Sequence, residues 1–211
     1  MFCRELMDMT GRNASFRRLS LFGTAWLEGL TVISFRWFAV LWSVLLPLIA
    51  LAGWGTVSPL AGVGLILAGW VAWSLFEYAV HRYLFHWKSQ SRVVNWLIFV
   101  LHGNHHDEPR DPLRNLMPPI LSVPIGACIW AAMAGAFAAA GTWLFLGFMI
   151  GYVVYDTVHY ACHQWPMRGP IGRVLKRHHM RHHYVDHDSH YAITGLPWDR
   201  VFGSRITSLK R

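Results

Sequence analysis

The chain has 211 residues, of which 54% are hydrophobic and only 14% charged, and its formal net charge is +8. This length suits one domain or two small ones. The positive charge calls for no nucleic-acid partner, because a basic face against anionic lipid headgroups explains it and the sequence has no DNA- or RNA-recognition motif. The three cysteines are scattered and odd in number, so they imply no disulfide framework.

Residues 1–36 are predicted to form a basic segment ahead of the first membrane span. Arg17 and Arg18 are followed by a mixed sequence that does not look like a cleavable signal. A set of hydrophobic residues then falls roughly along one helical face, which predicts an amphipathic helix in the membrane interface. A solvent-exposed arm is the alternative. The hydrophobic residues of this face are Leu19, Phe22, Trp26, Ile33 and Trp37.

Two long uncharged runs predict four membrane-spanning helices. No charged residue occurs in residues 37–76 or in residues 115–155. A span needs roughly 20 apolar residues, so each run is long enough for two. Small and turn-forming residues interrupt the runs at 53–59 and at 140–142. We therefore predict an all-α integral membrane protein, with residues 37–211 as one domain and two helical hairpins whose spans lie near 37–54, 60–80, 119–139 and 143–162.

The distribution of basic residues predicts the orientation in the membrane. Of the nineteen Lys and Arg, five lie up to Arg36, five lie between Arg82 and Arg114, and nine follow from Arg168 onward. The predicted hairpin turns contain none. Basic loops favour the cytoplasmic side, so we expect both termini and the histidine-rich region to be cytoplasmic, in a bacterial inner membrane or an endoplasmic-reticulum-type membrane.

All thirteen histidines lie between His81 and His190, and ten of them form four short clusters with metal-ligand spacing. Neutral imidazole is the commonest metal-binding side chain, because it offers a lone pair without a charge. Ten ligands are too many for one ion and suit two. The ten candidate metal ligands are His81, His86, His102, His105, His106, His159, His163, His179, His182 and His183.

The spacing of these clusters repeats along the chain. Sixteen residues separate His86 from His102, and sixteen also separate His163 from His179. Residues three or four apart share a face of a helix, whereas His81 and His86 are five apart and must straddle a helix end or a bend. An offset of 77 residues carries one His-x2-His-His cluster onto the other. Outside this repeat, and therefore predicted not to be ligands, are His178, His187 and His190.

Two acidic residues within the apolar segments are candidate partners of the histidines. Glu77 precedes His81 by four residues, and Asp156 precedes His159 by three. A metal-bound histidine usually donates its other ring N–H to a carboxylate or a carbonyl, so we expect this supporting role for both acids. Direct metal ligation and a structural hydrogen bond to the helix end are the alternatives. Three acidic residues in polar segments are expected to be solvated, namely Asp111, Asp186 and Asp188.

The donor set alone does not name the metal, because imidazole binds zinc, iron, copper and nickel. A hydrolytic zinc site uses three protein ligands and an open position, far fewer than are present here. Two iron ions beside an apolar cavity would suit the activation of O2 against an unreactive C–H bond. We therefore expect two iron ions, with zinc as a replacement in purified protein.

Five stretches of the sequence resemble the fatty acid hydroxylase/sterol desaturase superfamily, and most of all its fatty acid 2-hydroxylases. The resemblance implies four spans and a cytosolic dimetal site. It also implies that the ten clustered histidines are the ligands and that the reaction inserts one oxygen atom beside an acyl carbonyl. The stretches are Glu77 to His86, His102 to Arg114 with Pro118 and Pro119, Asp156 to His163, His179 to Tyr184, and Trp198 to Gly203.

Several features depart from that family. Eukaryotic relatives often carry a cytochrome b5 domain, for which the thirty-six residues before the first span leave no room. We therefore expect electrons from a separate protein of the cytochrome b5 or ferredoxin type. Asn115 and Leu116 stand where relatives tend to have a more aliphatic pair, and Ala192 replaces an expected glycine. These differences lie outside the ligand set and could alter the choice of substrate.

The functional prediction is an O2-dependent membrane hydroxylase that acts on C2 of a fatty acyl chain, free or within a complex lipid. A desaturase is one alternative, and a hydroxylase of a sterol, carotenoid or aminolipid is another. A metal transporter or storage protein is an alternative of a different class. Transporters place polar ligands near the bilayer midplane, whereas the middle of each predicted span here is apolar.

Overall fold

The computed structural model describes residues 18–206, and all the regular structure in that range is helical. The structure therefore confirms the predicted all-α class. Two short π-helical turns extend the regular helices, π1 (His81–Phe85) and π2 (Phe99–Gly103). The α-helices in chain order are α1 (Ala25–Leu30), α2 (Phe35–Gly53), α3 (Pro59–Val80), α4 (Arg92–Ile98), α5 (Asn104–Asp107), α6 (Pro119–Phe137), α7 (Ala139–Gln164), α8 (Pro170–Tyr184) and α9 (Pro197–Val201).

Four of these helical segments are long and apolar enough to cross a membrane, as predicted. They are Phe35–Gly53, Pro59–Phe85, Pro119–Phe137 and Ala139–Gln164. Local caps explain where the first two begin. The Ser34 hydroxyl accepts the Trp37 N–H and the Ser58 hydroxyl accepts the Ala61 N–H, which satisfies a free donor at each helix start.

The turn between the third and fourth spans lies earlier than we predicted. We placed it at residues 140–142, but the chain reverses at Ala138, which has a φ of 48°, and α7 begins immediately afterwards. Gly141 is the second residue after the helix start, where a Cβ would overlap the backbone of Met133. This glycine therefore permits close packing of α6 and α7 instead of forming the turn.

Helix α7 is the centre of the bundle. It packs against α2, α3 and α6, and α2 makes its main helix contact with α7 and not with α3. The closest approach is between α3 and α7. A Cβ at Gly69 would overlap the Leu144 carbonyl, and one at Gly147 would overlap the Ile66 carbonyl. The rings of Trp73 and Phe148 pack edge to face at this contact, with centroids 4.9 Å apart.

The segment before the first span differs from the single amphipathic helix that we predicted. Residues 1–17, including Arg17, lie outside the described residues. From residue 18 onward the only helix before α2 is α1, because Thr31 ends it and an extended stretch follows. The segment packs instead on the loop 108–117 through two ion pairs, Arg18 with Asp111 at 2.7 Å and Arg114 with Glu28 at 2.6 Å. The boundary of the predicted domain at residue 36 stays a prediction.

The expectation that Asp111 would be solvated is wrong. This side chain is 1% exposed, and both of its oxygens accept hydrogen bonds from the Arg18 guanidinium, at 2.7 and 3.0 Å. Asp186 and Asp188 are exposed as expected, and Asp188 forms a surface ion pair with Lys88.

Candidate metal centre

The ten predicted histidines converge on two compact groups of five at one end of the helical bundle. Within each group, one ring nitrogen from every histidine lies within 4.8 Å of those of the other four. Neither group contains His178, His187 or His190, which the sequence repeat had also set aside. The first histidine group consists of His81, His86, His102, His106 and His182, and the second histidine group consists of His105, His159, His163, His179 and His183.

Two π-helical turns give the histidines their directions. In a π-helix the backbone hydrogen bond links residues five apart, and such turns are frequent at functional sites. Turn π1 ends α3 and brings His81 and His86 into the first group although they are five residues apart. Turn π2 precedes α5, from which His105 points into the second group while His106 points into the first.

Backbone carbonyls fix the orientation of three rings. The Nδ1–H of His81 donates to the Tyr191 carbonyl, and that of His182 donates to the Ser189 carbonyl at 2.7 Å. In the second group, the Nδ1–H of His159 donates to the Asn115 carbonyl at 2.9 Å. With the proton held on Nδ1, the Nε2 atom of each ring is left as a lone pair directed into its group.

The first group needs a cation to be electrostatically consistent. Its Nε2 atoms form a chain of close contacts, from His81 to His102 at 3.1 Å, on to His106 at 2.9 Å, and then to His182 at 3.2 Å. The Nε2 atoms of His81 and His182, at the two ends of this chain, carry no proton. At most two protons, those on Nε2 of His102 and His106, are therefore available for the three N···N contacts. Every assignment of neutral tautomers then leaves two lone pairs or two protons facing each other. A metal ion between the lone pairs removes this repulsion, so the donor set fits a metal.

The histidines are also in the protonation state that a metal requires. Burial lowers the pKa of His86 to about 4 and that of His182 to about 3, because the charged imidazolium loses its hydration. Burial also lowers the pKa of His102 and His179 well below the usual value. These rings are therefore neutral near pH 7, with lone pairs available to a cation.

Among the described residues neither Glu77 nor Asp156 forms a hydrogen bond with a histidine ring, contrary to our expectation. Glu77 instead accepts the backbone N–H groups of residues 193–195 and the hydroxyl of Thr194. Asp156 accepts the Met117 N–H at 2.9 Å and the Tyr152 hydroxyl at 3.1 Å. Sequence spacing along a helix showed that each acid could share a face with a histidine, but it did not show that nearby loops supply stronger competing donors.

A third buried acid, which sequence reasoning missed, holds the same loop as Glu77. Asp199 accepts the backbone N–H groups of Tyr191 and Ala192 at 2.9 and 3.0 Å. It also accepts a hydrogen bond from His178 Nε2 at 2.8 Å, which explains the role of a histidine outside both groups. The carbonyls of Ser189 and Tyr191 lie in this loop, so Asp199 and Glu77 together position the acceptors of the first histidine group.

Asn115 contacts two histidines of the second group. It is 1% exposed, and its side-chain Nδ2 lies 3.0 Å from Nδ1 of His105 while its carbonyl accepts from His159. Gln164 donates to the Asn115 Oδ1 at 2.6 Å and fixes the amide. The sequence analysis identified Asn115 as a departure from the family but did not indicate that it contacts two histidines.

A cavity of about 420 Å³ borders the histidines. Residues of α3, α6 and α7 form its walls, and the segment 21–31 closes one side. It reaches His102 of the first group and both His105 and His159 of the second. Most other lining residues are apolar, so the cavity has the size and character of a site for a lipid-like molecule.

Four apolar membrane-length helices beneath two five-histidine groups define a multi-pass membrane protein with a candidate dimetal site. The chain belongs to the fatty acid hydroxylase family, whose sequence model matches residues 66–204. A solved structure described as full-length scs7p, with only the hydroxylase domain visible, superposes with a TM-score of 0.80 at 32% identity and covers 88% of this chain and 71% of that one.

Named relatives agree with this membership. A dihydroceramide fatty acyl 2-hydroxylase of Arabidopsis thaliana is 40% identical over 147 residues, which is 67% of this chain and 61% of that protein. A second protein of that name from the same plant is 36% identical over 147 residues, covering 69% and 62%. The human fatty acid 2-hydroxylase is 39% identical over 143 residues, covering 66% and 38%. The chain thus spans about three fifths of the length of the first two relatives.

Proposed function

We propose that this protein is an O2-dependent hydroxylase that places a hydroxyl group on C2 of a fatty acyl chain. The observation that carries the proposal is the apolar cavity, whose lining includes histidines of both groups. An acyl chain lying in this cavity with its carboxyl end toward the histidines would have C2 beside the candidate metal centre. Relatives named as fatty acyl 2-hydroxylases support the same position of attack.

The ten histidines of the two groups are the proposed ligands of two iron ions, five for each. When bound, the ions supply the activation of O2 and the oxidation of the C–H bond, chemistry that amino-acid side chains do not provide. Zinc also accepts imidazole ligands and would preserve the fold without supporting this oxidation. The proposed supporting residues are Glu77, Asp199 and Asn115, which act through backbone carbonyls as described above, and Asp156, which holds the Met117 N–H in the loop before α6.

The protein's own contribution is to hold the substrate and exclude water. The walls of α3, α6 and α7 confine the chain, so the carbon that is attacked is selected by position. One oxygen atom of O2 enters the C2–H bond and the other leaves as water. This stoichiometry consumes two electrons and two protons. A separate redox protein of the cytochrome b5 or ferredoxin type would supply the electrons.

The proposed orientation places both termini and the histidine groups on the cytoplasmic side. It rests on the distribution of Lys and Arg, which are absent from residues 37–76 and 115–155 and abundant from Arg168 onward. Cysteine-accessibility labelling in intact cells tests this point. A cysteine introduced at Lys88 should be protected from an impermeant reagent, whereas one introduced at Gly55, in the loop between α2 and α3, should react.

Comparative lipid mass spectrometry tests the reaction. Cells would express the wild type, His182→Ala or His187→Ala, and would be grown with iron, a 2,2-dideuterated fatty acid and 18O2. We expect a lipid that has gained one labelled oxygen and lost one deuterium with the wild type and with His187→Ala, but not with His182→Ala.

Other products would redirect the assignment. Loss of one deuterium and one further hydrogen without oxygen would indicate a desaturase. Oxygen gained with both deuteriums retained would indicate attack on another carbon. A third outcome is that no lipid changes although a redox partner is supplied, while metal is taken up into vesicles. This outcome would favour a metal transporter or storage protein.

A further inference from the structure

Two polar side chains that line the cavity have hydrogen-bonding atoms without partners. The Arg114 side chain is 5% exposed, and its Nε and Nη1 atoms are buried without a hydrogen-bond acceptor among the described residues. Asn104 is also 5% exposed, and no residue in the range 18–206 donates a hydrogen bond to its buried Oδ1. Both residues line the same cavity as His102 and His105. Buried polar groups are nearly always paired, so these unpaired atoms require an explanation.

The orientation of the Asn104 amide is fixed by its other contacts. Its Nδ2 donates to the carbonyls of Phe99 and Val100, at 2.9 and 2.7 Å. These two acceptors require the NH2 group at that position, so the oxygen is the atom left over. The cavity therefore contains an unsatisfied acceptor as well as the unsatisfied donors of Arg114.

The charge of Arg114 is already balanced. Its Nη2 donates to Glu28 Oε2 at 2.6 Å, which leaves the remaining N–H groups as donors in a locally neutral pair. A free carboxylate in the cavity would be a second anion on one guanidinium. A neutral carbonyl oxygen can accept from Arg114 without that repulsion, and an adjacent N–H can donate to Asn104.

We propose that Arg114 and Asn104 bind the amide group of an N-acyl lipid, with Arg114 donating to the acyl carbonyl oxygen and Asn104 Oδ1 accepting the amide N–H. This inference rests on the proposed function and deepens it. The amide carbon is C1 of the acyl chain, so fixing it near His102 and His105 places C2 next to the candidate metal centre. Arg114 and Asn104 are thus residues that determine substrate specificity and position.

Binding of three length-matched probes to the full-length protein in nanodiscs tests the proposal. The probes are N-butyl hexadecanamide, its N-methyl derivative and butyl hexadecyl ether, measured by displacement of a fluorescent acyl probe. The first has a carbonyl and an N–H, the second has only the carbonyl, and the third has neither. For the wild type we expect the secondary amide to bind at least about tenfold more tightly than the ether, as for a hydrogen bond to a charged donor. The N-methyl amide should be intermediate.

Variants separate the two contacts. In Arg114→Met the advantage of the N-methyl amide over the ether should disappear, while the further gain from the N–H should remain. Arg110→Met is the matched control, because Arg110 lies in the same loop but is exposed and does not line the cavity. In Glu28→Gln, hexadecanoate should bind more tightly relative to the secondary amide, since the negative charge beside Arg114 is removed.

Equal binding of the three probes to the wild type would overturn the proposal even if Arg114→Met failed to fold. Unchanged probe ratios in a folded Arg114→Met protein would do the same. The assay requires no turnover, so it is independent of the hydroxylation experiment. A wild type that prefers amides but yields no hydroxylated lipid would refute the proposed function alone, and a hydroxylase with no such preference would refute the binding of the amide alone.

Discussion

Glu77 accepts two hydrogen bonds from Thr194, one from its backbone N–H at 2.8 Å and one from its hydroxyl at 2.6 Å, across 117 residues of sequence. Glu77 belongs to a membrane-length helix, and Thr194 belongs to the loop whose carbonyls orient His81 and His182. The contact therefore fixes the position of this loop relative to the helical bundle. Through it, the packing of α3 determines where two rings of the first histidine group point.

Replacement of Glu77 by alanine should be strongly destabilising. The change leaves the N–H groups of residues 193–195 without their acceptor, and a buried unsatisfied group costs about 1–3 kcal/mol. We expect a loss of about 3 kcal/mol or more in the free energy of unfolding, measured by denaturant titration in detergent. Glu77→Gln keeps an oxygen at the Oε1 position and should lose clearly less. Equal losses for the two variants would show that the charge, and not the hydrogen bonds, stabilises the loop.

The number of bound metal ions should depend on which histidine group is altered. The wild type purified from iron-supplemented cells is expected to hold two ions per chain, measured by elemental analysis. His182→Ala in the first group and His163→Ala in the second should each reduce the content to about one, because each removes a ligand from one group only. His187→Ala should retain two, since this ring lies outside both groups. A loss of both ions in each single variant would mean that the groups bind metal only together.

Asp199→Ala should weaken metal binding in the first group selectively. Asp199 holds the N–H groups of Tyr191 and Ala192, and the carbonyl of Tyr191 accepts from His81. Loss of such supporting contacts typically weakens metal affinity about 10–100-fold. In competition with a chelator, one ion should therefore be released at a lower chelator concentration than in the wild type, and the other ion at the same concentration as in the wild type. Arg200, the exposed neighbour of Asp199, provides the control. Arg200→Ala should release both ions at the same chelator concentrations as the wild type. Equal release of both ions would contradict this role of Asp199.

The sequence was sufficient to predict the helical class, the four spans and the set of histidines that converge, because long apolar runs and ligand spacing are local patterns. It was insufficient to predict which of those histidines belong to the first group and which to the second. His105 and His106 are adjacent in sequence yet enter different groups, since turn π2 and helix α5 direct them apart. The partners of Glu77 lie more than 110 residues away, so no periodicity could have indicated them. Asp111 appeared solvated because its cation, Arg18, is distant in the chain.

Gly147→Ala should disrupt the contact between α3 and α7 on which this arrangement depends. An added Cβ would overlap the Ile66 carbonyl, which belongs to backbone and cannot rotate away. Overpacking typically costs about 1–3 kcal/mol, and the rigid neighbour favours the upper end of that range. Thermal unfolding in detergent measures the loss. Gly64→Ala, on α3, meets nothing within 4 Å and should not lower the midpoint, because alanine favours the helix over glycine. Because α3 leads into His81 and α7 contains His159, the Gly147 variant should also lose bound metal at lower chelator concentration than the Gly64 variant. Similar stability of the two variants would show that the helices separate easily and that their close approach is not what aligns the two histidine groups.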